Sequence, residues 1–278
     1  MDNPDDYSDY WIYKPSIVGA AIATGIFTVL TAIHIFRLSR TRSWFCIPFV
    51  LGGLFEVIGY ASRAASPSNA DNFALFILQT LGILLAPILF AASVYMILGR
   101  LIRATGAESY ALIRVNWITK IFVGGDILCF AIQAGGGGIL AGADTKSSKD
   151  LGQNIILAGL VLQIVIFVGF VVVAVVYHMR LRARPTGKGP AVMSWERLLI
   201  MLYVVSVLIT MRNLFRCIEY GLGEGSYLLR HEWPIYVFDA VLMAIVLGIC
   251  QQWYFGSLKA KHDSMDVEMN SSDTTASR

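Results

Sequence analysis

Five ionisable side chains of this sequence stand inside long apolar stretches: Glu56, Asp126, Arg212, Arg216 and Asp239. At the centre of a membrane-spanning helix each of them would cost about 2.5 to 3.5 kcal/mol. Such residues face the interior of a helix bundle, pair with one another or contact water, and they often mark ligand or proton pathways. We therefore take these positions as the first candidates for functional residues.

The two arginines lie on one helical face together with an acid. Arg212 and Arg216 are four residues apart and Glu219 follows three residues later, a spacing that aligns side chains on a helix. Asp239 occurs at a similar depth in the next apolar stretch. Two interpretations stay open: a salt bridge between two helices, or a cationic cleft for an anionic head group such as phosphate, which suits the planar arginine fork.

The remaining acids fall near the middle of their apolar stretches. As structural groups, Glu56 and Asp126 would be protonated and hydrogen-bonded; as functional groups, they would bind an amine head group or carry a proton. We favour function, because a buried carboxylate is a costly way to link helices. Gln79 and Gln133 add neutral donors and acceptors, either for interhelical hydrogen bonds or for the lining of a substrate path.

Composition identifies the elements that must position these residues. Of the 278 residues, 56% are hydrophobic and only 15% are charged, whereas soluble domains carry about 25% charged residues. The net charge of +3 is too small for a nucleic-acid binder, and the composition excludes a soluble α/β enzyme and a disordered chain. Seven stretches are long enough to cross about 30 Å of hydrocarbon as helices: 16–36, 45–65, 73–98, 117–140, 153–177, 195–219 and 233–255.

The predicted fold is therefore an all-α polytopic membrane protein with seven transmembrane helices. Of the Lys and Arg residues beside the spans, thirteen lie on one side and five on the other, and cytoplasmic loops carry the excess. This places the N-terminus outside and the C-terminus in the cytoplasm. We divide the chain into an extracellular segment 1–15, a transmembrane domain 16–255 and a disordered cytoplasmic tail 256–278.

Several signatures of chemistry are absent from the sequence. There is no GxxxxGK[ST] run for ATP, no HExxH zinc motif and no GxSxG nucleophile. The four cysteines show no CxxC spacing, and the four histidines are scattered singly. We therefore expect no catalytic residue, no metal site, no cofactor and no enzymatic activity.

A set of motifs extends over about residues 13–255. It comprises Glu56-Val57-Ile58-Gly59-Tyr60, Gln79, Ala86-Pro87, Phe90-Ala91-Ala92-Ser93, Tyr95-Met96-Ile97-Leu98-Gly99-Arg100, Ile121-Phe122-Val123-Gly124-Gly125-Asp126, Gln133-Ala134-Gly135-Gly136-Gly137-Gly138, Gly159-Leu160, Gln163, Tyr203-Val204-Val205-Ser206, Arg212, Phe215-Arg216, Glu219-Tyr220 and Tyr236-Val237-Phe238-Asp239. In these motifs the chain resembles the fungal lipid-translocating exporters, the RTA-like proteins. The resemblance implies a seven-span protein linked to resistance to toxic amphiphiles and to release or flipping of sphingoid long-chain bases.

The function expected from this resemblance is a lipid or amphiphile transporter without its own ATPase, located in the plasma membrane. Its partners would be the membrane and an amphiphile, with haem or a porphyrin as a ligand in some members. Glu56 and Asp126 would engage an amine or carry protons. Arg212, Arg216 and Asp239, with Glu219 beside them, would form an outer gate or a phosphate contact, and Gln79 and Gln133 would line the path.

Two alternatives belong to other classes. A seven-helix receptor or lipid sensor would dock a cytoplasmic partner through basic loops, above all 178–197, although topology and anionic lipid explain those arginines more simply. An intramembrane lipid-modifying enzyme is the weaker alternative. The sequence leaves the exact substrate, the direction of movement, the energy source and the oligomeric state open.

Overall fold

The computed structural model describes residues 15–68, 72–143, 145–184, 195–222 and 231–254. Within these ranges there is no β-strand, and seven helices are long and apolar enough to cross a membrane. They are α1 (Ile17–Thr41), α2 (Ile47–Ala65), α3 (Phe73–Ala104), α4 (Val115–Ala141), α5 (Lys146–Ala183), α6 (Trp195–Gly221) and α7 (Trp233–Trp253). The predicted all-α, seven-helix membrane fold is confirmed.

The orientation of the chain across the membrane stays a prediction. Of the predicted extracellular segment, only residue 15 is among the described residues. The predicted tail 256–278 and part of the basic loop 178–197 also lie outside them.

Most helices extend beyond the apolar stretches that predicted them. The largest difference is at α5, which runs for 38 residues from Lys146 to Ala183, where 153–177 was expected. Helical hydrogen bonding continues past the apolar segment at both ends, and the Thr145 side chain caps the start by accepting from the Ser148 backbone N–H at 3.3 Å. Hydropathy therefore located the spans, but capping and backbone hydrogen bonding set the helix ends.

The helices form a ring in chain order, and α3 is the most buried of them. Each helix packs against its neighbours in sequence, and α7 returns to pack against α1. Helix α3 also contacts α6 across the bundle. Of its most apolar 18-residue segment, 72% is buried. Side chains on α3 can therefore meet residues from both halves of the ring.

Glycines allow two helix pairs to approach closely. Between α2 and α3, a Cβ at Gly82 would lie 2.9 Å from the Phe55 carbonyl oxygen. Between α4 and α5, a Cβ at Gly136 would lie 2.9 Å from the Gly152 carbonyl oxygen. Helix α4 runs without a break through Gly135–Gly138 to Ala141, so this glycine run includes a tight helix crossing at Gly136.

Arginines at one end of the bundle link elements that are distant in sequence. Arg37 donates to the Gln251 carbonyl oxygen at 2.5 Å, which joins the ends of α1 and α7. Arg180 of α5 donates to the Tyr110 carbonyl oxygen at 3.1 Å, in the connection between α3 and α4. We call this the basic end of the bundle; α2 and α6 end at the opposite end.

Candidate functional site

One buried stripe of α4 carries two of the predicted site residues. Ile118, Phe122, Asp126, Cys129 and Gln133 follow one another at spacings of three or four residues, and all five are buried. This spacing places them on one face of the helix. On the other faces of α4, large apolar side chains are exposed, as expected of a surface that contacts lipid: Trp117, Ile121, Ile127, Leu128 and Ile139. The side chains of Asp126 and Gln133 therefore point into the bundle.

Asp126 is a buried acid without a basic partner among the described residues. Tyr95 of α3 donates its hydroxyl to Asp126 Oδ2 at 2.8 Å. The second oxygen, Oδ1, is buried and has no hydrogen-bond partner among the described residues. The ion pairs found in the described part of the chain join other residues. This carboxyl group therefore requires a proton or a cation to compensate its charge.

Three phenylalanine rings pack against the ring of Tyr95, whose hydroxyl binds Asp126. The Tyr95 ring centroid lies 4.5 Å from that of Phe170, 5.5 Å from Phe122 and 6.1 Å from Phe167. We call Asp126 with these four aromatic residues the Asp126 site. A carboxylate beside aromatic rings is the combination that recognises an organic ammonium ion, because the ring faces attract cations.

Gln133 lies two helical turns further along α4 and has a different contact. Its Nε2 donates to Gln163 Oε1 of α5 at 2.8 Å. A Cβ at Gly159 would come within 2.7 Å of Gln133 Cγ, so the glycine provides the space for this side chain. The interhelical hydrogen bond expected from the sequence is therefore present here.

The two predicted arginines converge on Asp239. Arg212 Nε donates to Asp239 Oδ1 at 2.8 Å, and its Nη2 donates to the Ile83 carbonyl oxygen of α3 at 2.9 Å. Arg216 donates to Asp239 Oδ2 and, at 3.0 Å, to Glu219 Oε2. These bonds join α3, α6 and α7. Of the two interpretations of the arginines, the interhelical salt bridge is the arrangement seen in this conformation.

Glu56 lies beside these pairs without joining them. It is fully buried on α2, and neither carboxyl oxygen has a hydrogen-bond partner in the described ranges. It interacts electrostatically with Asp239, Arg212 and Arg216. We call Glu56, Arg212, Arg216, Glu219 and Asp239 the arginine cluster.

The backbone of α7 is irregular at the acid that the arginines share. Asp239 lies within a π-helical segment, Tyr236–Val241. Single π-helical turns inside α-helices are uncommon and often occur at functional sites, because the wider turn displaces one residue. No sequence pattern used above predicted this segment.

The eight predicted residues are thus distributed over different parts of the bundle. Five form the arginine cluster between α2, α6 and α7, whereas Asp126 and Gln133 lie on α4. Gln79 of α3 is 8% exposed, and its Oε1 has no partner among the described residues. Its backbone packs against α2, where a Cβ at Gly59 would lie 3.4 Å from the Gln79 carbonyl oxygen.

Sequence reasoning missed two features. Tyr95 stood out only as part of a motif, since a tyrosine in an apolar helix looks like any core aromatic residue. Arg63 and Glu232 lie near the ends of predicted spans and were not singled out. The Arg63 side chain is 1% exposed, and its Nη2 lies 2.9 Å from Glu232 Oε1. Glu232 also accepts from the Ser16 backbone N–H and from the Tyr236 hydroxyl. This contact joins α1, α2 and α7 at the end opposite the basic end.

Seven helices able to span a membrane, with ionisable residues buried between them, define a polytopic membrane protein with a charged interior. The chain belongs to the family described as RTA1 like protein, whose model matches residues 49–262. The resemblance stated from the sequence motifs is therefore confirmed.

Among similar proteins of Saccharomyces cerevisiae, Protein RTM1 is 35% identical over 237 residues, which cover 82% of this chain and 75% of the relative. Protoporphyrin uptake protein 1 is 36% identical over 201 residues, covering 72% of this chain and 65% of the relative. Sphingoid long-chain base transporter RSB1 is 27% identical over 254 residues, covering 79% of this chain and 66% of the relative. No solved structure matches the chain.

Proposed function

We propose that the protein is a membrane transporter for a long-chain amphiphile with an amine head group, of the sphingoid long-chain base kind. It works without an ATPase of its own, as an exporter in the plasma membrane. Membership of the RTA1-like family supports transport, and a relative named as a sphingoid base transporter supports the substrate class. The observation that carries the proposal is the buried carboxyl group of Asp126, whose Oδ1 has no hydrogen-bond partner and which forms no ion pair among the described residues.

The chemistry of the Asp126 site fits a primary ammonium ion. The ammonium group would donate to Asp126 Oδ1, the oxygen that Tyr95 leaves unoccupied. The rings of Phe122, Phe167 and Phe170 would add attraction between the cation and their faces. One positive head group would also compensate the one negative charge of the site.

The arginine cluster fits an anionic head group less well. Asp239 accepts from both Arg212 and Arg216, and Glu219 accepts from Arg216. A phosphate or a porphyrin carboxylate would have to compete with these acids for the same guanidinium groups. The geometry therefore favours an amine over an anion.

The test measures transbilayer movement in liposomes that contain the purified protein. The panel holds a fluorescent sphingoid base, its N-acylated neutral analogue, a phospholipid and protoporphyrin. Wild type is expected to move the amine faster than the neutral analogue. Asp126→Asn should lower the amine rate by about tenfold or more, because a hydrogen bond to a charged group contributes about 1.5 to 3 kcal/mol.

Asp150→Asn is the matched control, because it makes the same chemical change at an exposed position of α5. It should move the amine at the wild-type rate. The proposal fails if folded wild type moves no member of the panel, or if Asp126→Asn moves the amine as fast as wild type. A fluorescent fusion of the chain, compared with a plasma-membrane dye, tests the location.

A further inference from the structure

The arginine cluster contains one more acid than base. Asp239 and Glu219 balance the charges of Arg212 and Arg216, and each accepts a hydrogen bond from an arginine. Glu56 is the fifth ionisable group, and its two oxygens accept no hydrogen bond from the described residues. If all five groups were ionised, the cluster would carry one net negative charge inside the bundle.

Within the described ranges, the groups facing Glu56 offer no further positive charge. On its own helix, the buried Tyr60 lies one turn away, and its hydroxyl has no partner among the described residues. The Tyr60 ring stacks on Phe27 of α1 at a centroid distance of 5.5 Å. Helix α3 carries the neutral Gln79, whose backbone packs against α2 at Gly59. Helix α6 contributes the two arginines and α7 contributes Asp239. An ionised carboxylate in these surroundings would carry a desolvation penalty of several kcal/mol.

A bound metal cation is a poor solution to this imbalance. Hard cations require about six oxygen ligands. Helices α2 and α3 are too tightly packed beside Glu56 to admit that many ligands. At this crossing a Cβ at Gly82 would lie 3.2 Å from the Gly59 Cα and 2.9 Å from the Phe55 carbonyl oxygen. A proton satisfies the charge and needs no additional space.

We propose that Glu56 is a proton-binding site that holds a proton in this conformation. Release breaks the O–H bond, leaves the electron pair on the carboxylate and passes the proton to water. The carboxylate then competes with Asp239 for Arg212, whose Nη1 has no acceptor within the described residues. Because Arg212 is bonded to α7 and α3, this exchange would change how α2, α6 and α7 are held together.

The consequence for transport rests on the proposed function. A transporter without an ATPase needs another energy source to move its substrate against a gradient, and a proton gradient acting through Glu56 would supply one. The Asp126 site would then bind the amphiphile while the arginine cluster responds to the proton gradient. Loading of substrate and loading of the proton would take place on different helices.

The first test is infrared spectroscopy of the purified protein at neutral pH, which needs no substrate. A protonated carboxyl group has a C=O stretching band separate from those of carboxylates and amides. Wild type should show a band component that Glu56→Gln removes, while Glu196→Gln and Asp150→Asn, at exposed positions, keep it. Labelling all glutamate with ¹³C should shift the same component without any substitution, which covers the case that Glu56→Gln fails to fold. A spectrum without this component, or one that Glu56→Gln leaves unchanged, overturns the proposal.

The second test separates the proton site from substrate movement. In liposomes, exchange of the labelled amine at equal concentrations reports transport itself, and accumulation under a proton gradient reports coupling. Glu56→Gln should reduce the ratio of gradient-driven accumulation to exchange to the value measured without a gradient. If this ratio equals that of wild type, Glu56 is not the coupling site. If wild type shows no exchange, the proposed function fails and the infrared result alone decides the protonation of Glu56.

Discussion

The arginine cluster and the Asp126 site both contain a buried acid, but the two acids have opposite kinds of surroundings. In the cluster, Asp239 is fully buried but accepts hydrogen bonds from two arginines. At the Asp126 site, an equally buried acid receives only the Tyr95 hydroxyl among the described residues, and phenylalanine rings pack against the Tyr95 ring. The same side-chain type is thus paired in one region and unpaired in the other.

This difference separates the groups that hold the bundle together from those that can bind a ligand. A carboxylate bonded to two guanidinium groups has little left to offer a substrate, and removing it leaves one of the two arginine charges without a paired acid. A carboxyl group with one unused oxygen retains binding capacity, and its charge contributes little to the packing of the helices. Glu56 belongs with Asp126 in this respect, although it lies next to the cluster.

The largest effect on stability is expected from the substitution that breaks the ion pairs of Asp239. Asp239→Asn removes the charge that Arg212 and Arg216 share, and breaking a buried ion pair costs about 3 to 5 kcal/mol. Asp126→Asn removes the same charge where no base is paired with it, so its cost should stay within about 1 kcal/mol. The midpoint of thermal unfolding in detergent, followed by size-exclusion chromatography after heating, compares the two variants. Equal destabilisation by both would remove the distinction between the two regions.

A smaller effect on stability is expected from a substitution at the crossing of α4 and α5, the two helices that carry most of the Asp126 site. In Gly152→Ala, the new Cβ would lie 2.9 Å from the Leu140 backbone nitrogen and 3.0 Å from the Gly136 oxygen. Backbone atoms cannot move aside as a flexible side chain can, so the variant should lose about 1 to 3 kcal/mol. Gly137→Ala is the matched control, because nothing lies within 4 Å of its Cβ, and its melting temperature should equal or exceed that of wild type. A Gly152→Ala variant as stable as Gly137→Ala would contradict the close crossing.

The smallest effect concerns the single hydrogen bond to Asp126. Tyr95→Phe keeps the ring and removes the hydroxyl, at an expected cost of about 0.6 kcal/mol and at most about 1.7 kcal/mol, as for other hydrogen bonds between membrane helices. A double-mutant cycle with Asp126→Leu measures the coupling between the two side chains. The Tyr95→Phe effect should vanish in the Asp126→Leu background. An unchanged effect there would mean that the hydroxyl acts through another group.

The sequence alone predicted more of the fold than of the site. Each of the seven spans was found, because crossing the hydrocarbon requires a run of apolar residues that one segment displays by itself. The polar positions were found by the same argument, since a charge in such a run is costly wherever the helix packs. The ends of α5 were missed, because a helix continues beyond the apolar part of its sequence.

The partners of the polar residues were decided by the tertiary structure. Arg212 donates to Asp239, which lies 27 residues further along the chain, and Tyr95 donates to Asp126, which lies 31 residues further along. The sequence of a single helix does not specify which helix packs beside it or how the two are rotated relative to each other. Glycine contacts such as that of Gly152 with the backbone of α4 set this rotation.

What the sequence determined by itself is therefore that this chain forms seven membrane-spanning helices with acids and arginines buried among them. Only the packing of those helices decided that Asp239 is paired, while Glu56 and Asp126 form no ion pair with any described residue. The physical reason is one of range. Burial of apolar side chains is a property of each segment, whereas compensation of a buried charge depends on side chains from other segments that folding brings within a few ångströms.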